Sequence, residues 1–254
     1  GIGRSYLLQL KGLTMEDNRP LVFYIATDGD AMGRAEMALV HSIGVHCSVP
    51  WGFVFMDETR GEPAWMDWNS DHWFTKFSNF RWAVPEVHGF RGRAVYMDVD
   101  QLVLKDPKEL FELEIPEDKA WLAIDPTRTD VMVFDCAKFK DLANWPSLAE
   151  MKRSMDSVGH YSDRIEHLWH PLPQRWCCND GGIMSEQGNK FQTEEYDPEV
   201  TCLLHYTQMD WQPWKPYPGK FKYPPHPHAR AESIWWQMYA GALEAKLKAK
   251  DEAG

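Results

Sequence analysis

Two aspartates, Asp98 and Asp100, are separated by a single valine and follow the apolar run of residues 94–97. Side chains at positions i and i+2 of a strand point to the same face, so the two carboxylates are expected to converge. Two like charges this close are unfavourable unless a cation or a hydrogen-bond donor neutralises them. Mg²⁺ and Mn²⁺ bind carboxylate oxygens and could do so here. A strand end exposed to solvent shows the same D-x-D pattern, so the pair alone does not establish a metal site.

The elements before this pair predict a βαβ unit. Residues 20–28 (PLVFYIATD) form a continuous apolar run, typical of a buried strand in a parallel sheet. Residues 29–44 place apolar side chains at helical spacing, and residues 51–57 predict the next strand. Such a unit predicts a right-handed parallel crossover. In open α/β sheets ligands bind at the carboxyl ends of strands, where Asp98 and Asp100 stand.

The rest of the chain continues this alternation. Further strands are predicted at residues 93–104, 120–124, 130–135 and 201–207. Helices are predicted at residues 73–90, 106–113 (with Asp106 as N-cap), 137–156 (with a break at Pro146) and 229–250. Pro85 predicts a kink or break near Arg81. Residues 157–200 are expected to be irregular, and residues 211–228 hold too many prolines for regular structure.

Residues 80–113 (FRWAVPEVHGFRGRAVYMDVDQLVLKDPKELFEL) resemble the central segment of family 8 glycosyltransferases. Members of that family carry an arginine on a helix. A strand of pattern G-[KR]-[AV]-x-Y-h-D-x-D-h-h-V follows, in which h is apolar, and then a short D-h-x-E-L-[WF] helix. Arg81 precedes Asp98 by 17 residues, the spacing expected for the family's phosphate- and sugar-contacting arginine.

Three other segments extend the resemblance over residues 21–217. Residues 22–43 are similar to the strand and helix that cradle the nucleotide's base and ribose, which maps that role onto Ala26, Thr27 and Asp28. Residues 129–139 look like the strand along the donor sugar. Residues 203–217 are similar to the C-terminal H-[FY]-x-x-x-x-K-P-W segment, whose histidine is the third protein ligand of the metal; here it is His205.

The resemblance implies an α/β fold of GT-A type, a Rossmann-like three-layer sandwich with a mainly parallel central sheet. It implies transfer of a sugar from a nucleotide-diphosphate sugar, with UDP expected, to a hydroxyl of a sugar or glycoconjugate acceptor, with retention of configuration. Asp98, Asp100 and His205 would hold Mn²⁺ or Mg²⁺. The residues predicted to bind the donor are Ala26, Thr27, Asp28, Arg81, Asp98, Val99, Asp100 and Lys215.

The catalytic assignment is less specific. Arg81 would add a fixed cation beside the diphosphate. Asp130 and Asp180 are candidates for the group near the anomeric carbon, and no nucleophile is assigned. Asp130 stands where the family has glycine or alanine, whereas Asp180 ends LPQRWCCND, which resembles a subgroup pattern L-P-x-x-W-N-x-x-D. Gln212 stands where the family has lysine, and Lys215 could replace that lysine.

The charge and the cysteine content limit which partners and which cell compartment are expected. A net charge of −11 argues against DNA or bulk RNA as a partner. Five irregularly spaced cysteines predict a reducing, cytoplasmic compartment. No apolar run is long enough to span a membrane, so the basic end of the last helix allows at most peripheral contact with the inner face. A single domain over residues 1–254 is expected, with a donor- and metal-binding half (20–135), an acceptor-side half (136–228) and a C-terminal helix (229–254).

Several other readings stay open. The cysteines and histidines in the second half could bind zinc, although structural zinc sites usually show C-x₂₋₄-C pairs; they are Cys177, Cys178, Cys202, His205, His160, His167 and His170. A non-catalytic sugar-nucleotide binder or interaction domain would use the same donor residues. A nucleotidyltransferase would need a glycine-rich basic loop after the first strand, where ATDGDAMGR offers two glycines and one arginine.

Overall fold

The computed structural model describes residues 20–70, 75–180 and 196–252, apart from the side chains of Asp30 and Val158. The described strands are β1 Leu21–Ala26, β2 Trp51–Met56, β3 Arg93–Asp98, β4 Gln101–Val103, β5 Trp121–Ala123, β6 Val131–Asp135, β7 Trp169–Pro171, β8 Cys178–Asn179 and β9 Leu203–His205. The described α-helices are α1 Gly29–His46, α2 Val84–Val87, α3 Lys108–Glu112, α4 Leu148–Arg153, α5 Val158–Ile165 and α6 Ala229–Asp251.

Six strands form the central sheet, in the order β2-β1-β3-β6-β5-β7. Strand β6 is antiparallel to both of its neighbours, and the other pairs in this sheet are parallel. The predicted α/β fold with a mainly parallel central sheet is therefore confirmed. Strands β1 and β3 run side by side, with Ala26 opposite Asp98, so the ends of two strands meet at one edge.

Side chains of the central strands alternate between two buried layers, as the pleat of a strand requires. Phe23 and Ile25 pack in the layer that contains α1 and α6. Tyr24 and Ala26 pack on the opposite face, in an aromatic layer that includes Trp82. The sheet thus lies between two layers of packed elements, and the many tryptophans fill mainly the second layer.

The first helix buries the stripe that its spacing predicts: Met32, Ala35, Leu39 and Ile43 are all at most 2% exposed. The helix continues past Gly44, the residue predicted to end it, and stops at His46. A Cβ at Gly44 would lie 3.3 Å from the Trp51 ring, so this glycine serves close packing of α1 on β2. Helix α3 begins at Lys108, so its N-cap is Pro107 and the prediction of Asp106 as N-cap is one residue early; Asp106 Oδ1 still accepts from the Lys108 amide at 3.0 Å.

The predicted strand at residues 93–104 is wrong in one respect, because the chain changes sheets within it. Strand β3 ends at Asp98, and the Val99 amide donates to the Ala26 carbonyl at 3.1 Å. The chain then turns and continues as β4, in a second sheet of order β4-β9-β8. Asp98 and Asp100 therefore lie at the junction of the two sheets.

Two other predictions change in detail. The described part of the predicted helix 73–90 is a 3₁₀ turn at Phe80–Ala83 followed by one α-helical turn, α2, because Pro85 can occupy only the first turn of a helix. Residues 157–200, predicted to be irregular, contain regular structure: Ser157 accepts from the His160 amide as the N-cap of α5, and strands β7 and β8 follow, paired with β5 and β9.

The proline-rich segment 211–228, predicted to lack regular structure, begins with the last residue of a 3₁₀ turn, Met209–Trp211; no helix or strand follows until α6. Within the described residues, no helix is both long and apolar enough to cross a membrane.

Candidate active site

The candidate site lies where the two sheets meet. The Asp98–Asp100 turn joins β3 to β4, and β4 pairs with β9 so that Gln101 is opposite His205. The ligand atoms of Asp98, Asp100 and His205 all lie within 4.8 Å of one another. The predicted convergence of the two carboxylates is therefore present, with the histidine beside them.

This cluster fits a divalent cation. His205 Nε2 lies 3.1 Å from Asp100 Oδ1, and ligands at about 2.1 Å from an octahedral ion would be about 3 Å apart. Asp100 Oδ1 is buried and has no hydrogen-bond partner by distance and angle. Two carboxylates and one imidazole suit Mn²⁺ and Mg²⁺. A cation bound here would give a direct partner to this buried oxygen, which otherwise faces only His205 Nε2 at 3.1 Å.

His205 is 3% exposed and lies between two carboxylates. On the side opposite Asp100, its Nδ1 lies 3.5 Å from Asp130 Oδ2. Burial alone would lower the pKa of His205, but Asp100 and Asp130 outweigh it and hold this pKa well above its ordinary value. For Asp130, burial alone would raise the pKa, but the nearby His205 and Arg128 hold this pKa below its usual range.

Arg81 reaches the same cluster from the 3₁₀ turn. Its Nη2 lies 3.4 Å from Asp98 Oδ1, and its Nη1 donates to the Thr129 carbonyl and hydroxyl at 2.6 and 2.7 Å. Its guanidinium also lies over the Tyr96 ring, 4.6 Å from the centroid. Burial raises the pKa of Asp98 to about 6, although Arg81 opposes this shift. The arginine is thus a fixed, buried cation beside Asp98.

The residues predicted to bind the nucleotide lie at the end of β1. Thr27 Oγ1 donates to Glu36 Oε1 on α1 at 2.6 Å, and Glu36 in turn pairs with Arg60. Asp28 Oδ2 accepts from the Tyr217 hydroxyl at 2.6 Å. Ala26 and Val99 are buried and linked through their main chains. The structure brings these residues next to the Asp98–Asp100 turn through the pairing of β1 and β3.

Asp180 and Lys215 lie on the other side of β9. Asp180 is fully buried, and its Oδ2 is 2.8 Å from His226 Nε2. Because the His228 amide donates to His226 Nδ1, the proton of a neutral His226 is on Nε2 and points at Asp180. This arrangement favours an anchoring role for Asp180. Lys215 is exposed and lines a cavity of about 210 Å³, together with Trp211, Gln212, Tyr223, His226 and Glu232.

Similar proteins were found only among solved structures. No protein-family model matches the sequence, and no curated protein matches it either. The glycosyltransferase GlyE of Streptococcus pneumoniae TIGR4 superposes with a TM-score of 0.58 at 15% identity, over 91% of this chain and 64% of that one. The bifunctional glycosyltransferase WbbM gives 0.56 at 12% identity, over 79% and 48%. This chain thus spans about half to two thirds of those two proteins.

The galactosyltransferase LgtC, crystallised with donor and acceptor sugar analogues, gives a TM-score of 0.53 at 12% identity and covers 87% of this chain. In this case 95% of the other chain is covered as well. The chain has a GT-A-type glycosyltransferase fold. The resemblance noted in the sequence is thereby confirmed as a resemblance of fold.

Within the GT-A fold, sequence reasoning missed Arg128 and Tyr217, and it named Gln212 without foreseeing its contact with Asp100. Arg128 donates to Asp130 Oδ2 at 2.8 Å, Tyr217 contacts Asp28, and Gln212 Nε2 donates to Asp100 Oδ2 at 3.1 Å. Only Arg128 left a local signal, since it precedes Asp130 by two residues. The other two contacts join residues far apart in the chain.

The side-chain geometry gives limited support to a zinc site formed by cysteines and histidines of the second half of the chain. Asp130, Cys177 and His205 form a second group of potential ligands, with Cys177 Sγ 3.8 Å from Asp130 Oδ2. Arg128 Nη2, however, is 3.6 Å from the same sulfur and places a positive charge there. Among the described residues, Cys178, Cys202, His160, His167 and His170 join no ligand group.

Proposed function

We propose that the protein is a metal-dependent glycosyltransferase that moves a sugar from a nucleotide-diphosphate sugar to an acceptor hydroxyl. UDP is the expected nucleotide, and retention of configuration is the expected outcome. One observation carries the proposal: within a GT-A-type fold, Asp98, Asp100 and His205 bring their ligand atoms within 4.8 Å of one another. The fold places this cluster at the carboxyl ends of strands, where open α/β sheets bind ligands.

The protein's own groups would hold and orient the diphosphate. Bound Mn²⁺ or Mg²⁺ would act as a Lewis acid that offsets the negative charge on the leaving nucleotide. Arg81 adds a second cation that the Thr129 contacts hold in place, so little reorganisation is needed as charge develops. Lys215, exposed on the rim of the adjacent cavity, is proposed as the diphosphate contact that replaces the family's lysine.

The nucleoside would lie over the end of β1. Thr27 and Asp28 are proposed to orient base and ribose, beside the buried backbone of Ala26 and Val99. Both polar side chains are already hydrogen-bonded to other protein groups, Glu36 and Tyr217. Such contacts hold a binding residue in one rotamer before the ligand arrives, which lowers the entropic cost of binding.

The acceptor would occupy the cavity beside Gln212. Trp211 and Tyr223 supply aromatic surface, while Asp210 and Glu232 supply polar groups for sugar hydroxyls. Gln212 links this cavity to the metal cluster through its contact with Asp100. An acceptor screen on a glycan array, repeated with Trp211→Ala, tests this placement: loss of acceptor transfer with unchanged donor hydrolysis is the expected result.

The decisive experiment is a donor screen by thermal melting with UDP, GDP and their sugars, each with and without Mn²⁺. A ligand that binds the native state raises the melting temperature, and we expect UDP and its sugars to do so only with Mn²⁺. Asp100→Asn should abolish this Mn²⁺-dependent rise. Asp118→Asn, the same change at an exposed site, is the matched control. A rise that survives in Asp100→Asn would contradict the proposal.

A non-catalytic sugar-nucleotide binder would pass the melting test, so hydrolysis decides between the two functions. A transferase is expected to release free sugar slowly from its donor in the presence of Mn²⁺, whereas a binder would leave the donor intact. A nucleotidyltransferase has less support, since α1 begins at Gly29, two residues after β1. This leaves no room there for a glycine-rich basic loop.

A further inference from the structure

Asp130 lies between the two chain segments that carry the candidate metal ligands. Its main-chain carbonyl accepts hydrogen bonds from the Asp98 amide at 3.1 Å and from Gln101 Nε2 at 2.9 Å. Its side chain points the other way along the cluster, with Oδ2 3.5 Å from His205 Nδ1. One residue, immediately before β6, therefore contacts both the Asp98–Asp100 turn and the histidine on β9.

The two ring nitrogens of His205 face different carboxylates. Nε2 lies 3.1 Å from Asp100 Oδ1, on the side of the candidate metal, and Nδ1 faces Asp130. An imidazole that binds a metal through one nitrogen commonly donates the proton of the other to a carboxylate or carbonyl, which fixes its tautomer and ring orientation. His205 Nδ1 is buried and has no hydrogen-bond partner among the described residues, and the Asp130 carboxylate, 3.5 Å away, is the acceptor that faces it.

Asp130 is itself held in place. Arg128 Nε donates to the same Oδ2 at 2.8 Å, and Arg128 Nη2 hydrogen-bonds Asn179 on β8. The side chains of Arg128 and Asp130 are 9% and 23% exposed, so solvent reaches this pair only in part. Charge-assisted hydrogen bonds of an arginine to a carboxylate are short and directional. The carboxylate thus has little freedom to move away from His205.

We propose that Asp130 is a positioning residue for the metal. It accepts the Nδ1 proton of His205 and so directs Nε2 to the ion that Asp98 and Asp100 would share. This role depends on the proposed function, since it presupposes the metal site. It is an alternative to the sequence-based prediction that Asp130 lies near the anomeric carbon, because Oδ2 accepts from Arg128 and faces His205.

The test measures Mn²⁺ affinity directly, without donor or turnover. Electron paramagnetic resonance of free Mn²⁺ gives the dissociation constant for wild type, Asp130→Asn and Cys177→Ala. Outer partners of metal-ligating histidines typically contribute 10–100-fold to metal affinity, and we expect a loss of about that size in Asp130→Asn. Cys177→Ala is the matched control, because Cys177 contacts the same Asp130 oxygen. Its Mn²⁺ affinity should stay within about twofold of wild type, which is small beside the expected loss of about 10–100-fold in Asp130→Asn.

Removing the charge of Asp130 takes the carboxylate away from the buried Arg128, and breaking a buried ion pair is expected to destabilise the fold. The double variant Arg128→Gln/Asp130→Asn removes both charges together, and its melting temperature in EDTA establishes that it is folded. We expect the same loss of Mn²⁺ affinity in the double variant.

The outcomes separate this inference from the proposed function. Wild-type affinity in a folded Asp130 variant would overturn the positioning role alone. Equal losses in Cys177→Ala and Asp130→Asn would also overturn it, because the ion would then be bound by Asp130, Cys177 and His205 themselves. A wild-type protein that binds no Mn²⁺ would overturn both the positioning role and the metal-dependent function.

Discussion

Gln212 donates a hydrogen bond from Nε2 to Asp100 Oδ2 at 3.1 Å, although the two residues are 112 positions apart. The same nitrogen donates to the Tyr206 carbonyl at 2.9 Å, and the side chain is 1% exposed. The amide therefore holds one oxygen of Asp100 and leaves the other, Oδ1, directed at His205. The neutral amide holds Asp100 without adding a charge beside it.

Gln212→Glu should destabilise the metal-free protein by about 1–3 kcal/mol. The change removes the donor to Tyr206 and places a second carboxylate against Asp100. Mn²⁺ should offset much of this loss, because the cation neutralises the added charge. Urea denaturation in EDTA and in Mn²⁺ measures both effects. Gln237→Glu, the same change on the exposed face of α6, is the control, and equal stability of the two variants in EDTA would contradict the prediction.

The raised pKa of His205 predicts how stability depends on pH without metal. The folded state holds this proton more tightly than the unfolded state, because Asp100 and Asp130 outweigh the effect of burial. The stabilisation is complete below the ordinary value of 6.5 and is lost as the pH rises through the raised pKa. In EDTA, the melting temperature of wild type should therefore fall relative to His205→Gln from pH 6.5 into the alkaline range.

Mn²⁺ should reverse this trend, since binding to His205 requires loss of the same proton. The rise in melting temperature on adding Mn²⁺ should grow with pH in wild type and should be absent in His205→Gln. A rise that does not depend on pH would show that the ion is bound elsewhere.

Lys215→Met should weaken UDP binding without altering stability. Lys215 is exposed, so its contact with a diphosphate should be worth up to about 1 kcal/mol, or roughly fivefold in affinity. Isothermal titration with UDP in saturating Mn²⁺ measures the change. Lys222→Met, at an exposed position on the same proline-rich segment, should leave the affinity unchanged. Equal affinities for the two variants would show that Lys215 does not replace the family's lysine.

Tyr217→Phe should loosen the proline-rich segment. The change removes the 2.6 Å hydrogen bond to Asp28, at a cost of roughly 1 kcal/mol, and keeps the ring in place. Trypsin can cut after Lys220 and Lys222, so limited digestion with mass spectrometry reports the opening of this segment. Tyr239→Phe on α6 serves as the control. Cleavage at the wild-type rate in Tyr217→Phe would show that the hydrogen bond does not hold the segment closed.

The sequence by itself predicted the elements that local patterns encode. The apolar run of β1, the buried stripe of α1 and the proline-rich segment depend on neighbours within a few residues, and the structure has each of them. The Asp98–Asp100 pair was found in the same way, because it ends an apolar strand, whereas His205 was predicted only through the resemblance of residues 203–217 to the family's C-terminal segment. Motif order, combined with resemblance, was enough to predict the GT-A-type fold.

Only the tertiary structure decided how these residues meet. The chain changes sheets between Asp98 and Gln101, and no local pattern distinguishes this from one continuous strand. The contacts of Gln212 with Asp100 and of Tyr217 with Asp28 span 112 and 189 positions. The contact between Asp130 and His205 likewise exists only because β4 pairs with β9. Such contacts depend on how whole elements pack against one another, so they cannot be predicted from residues that are neighbours in the sequence.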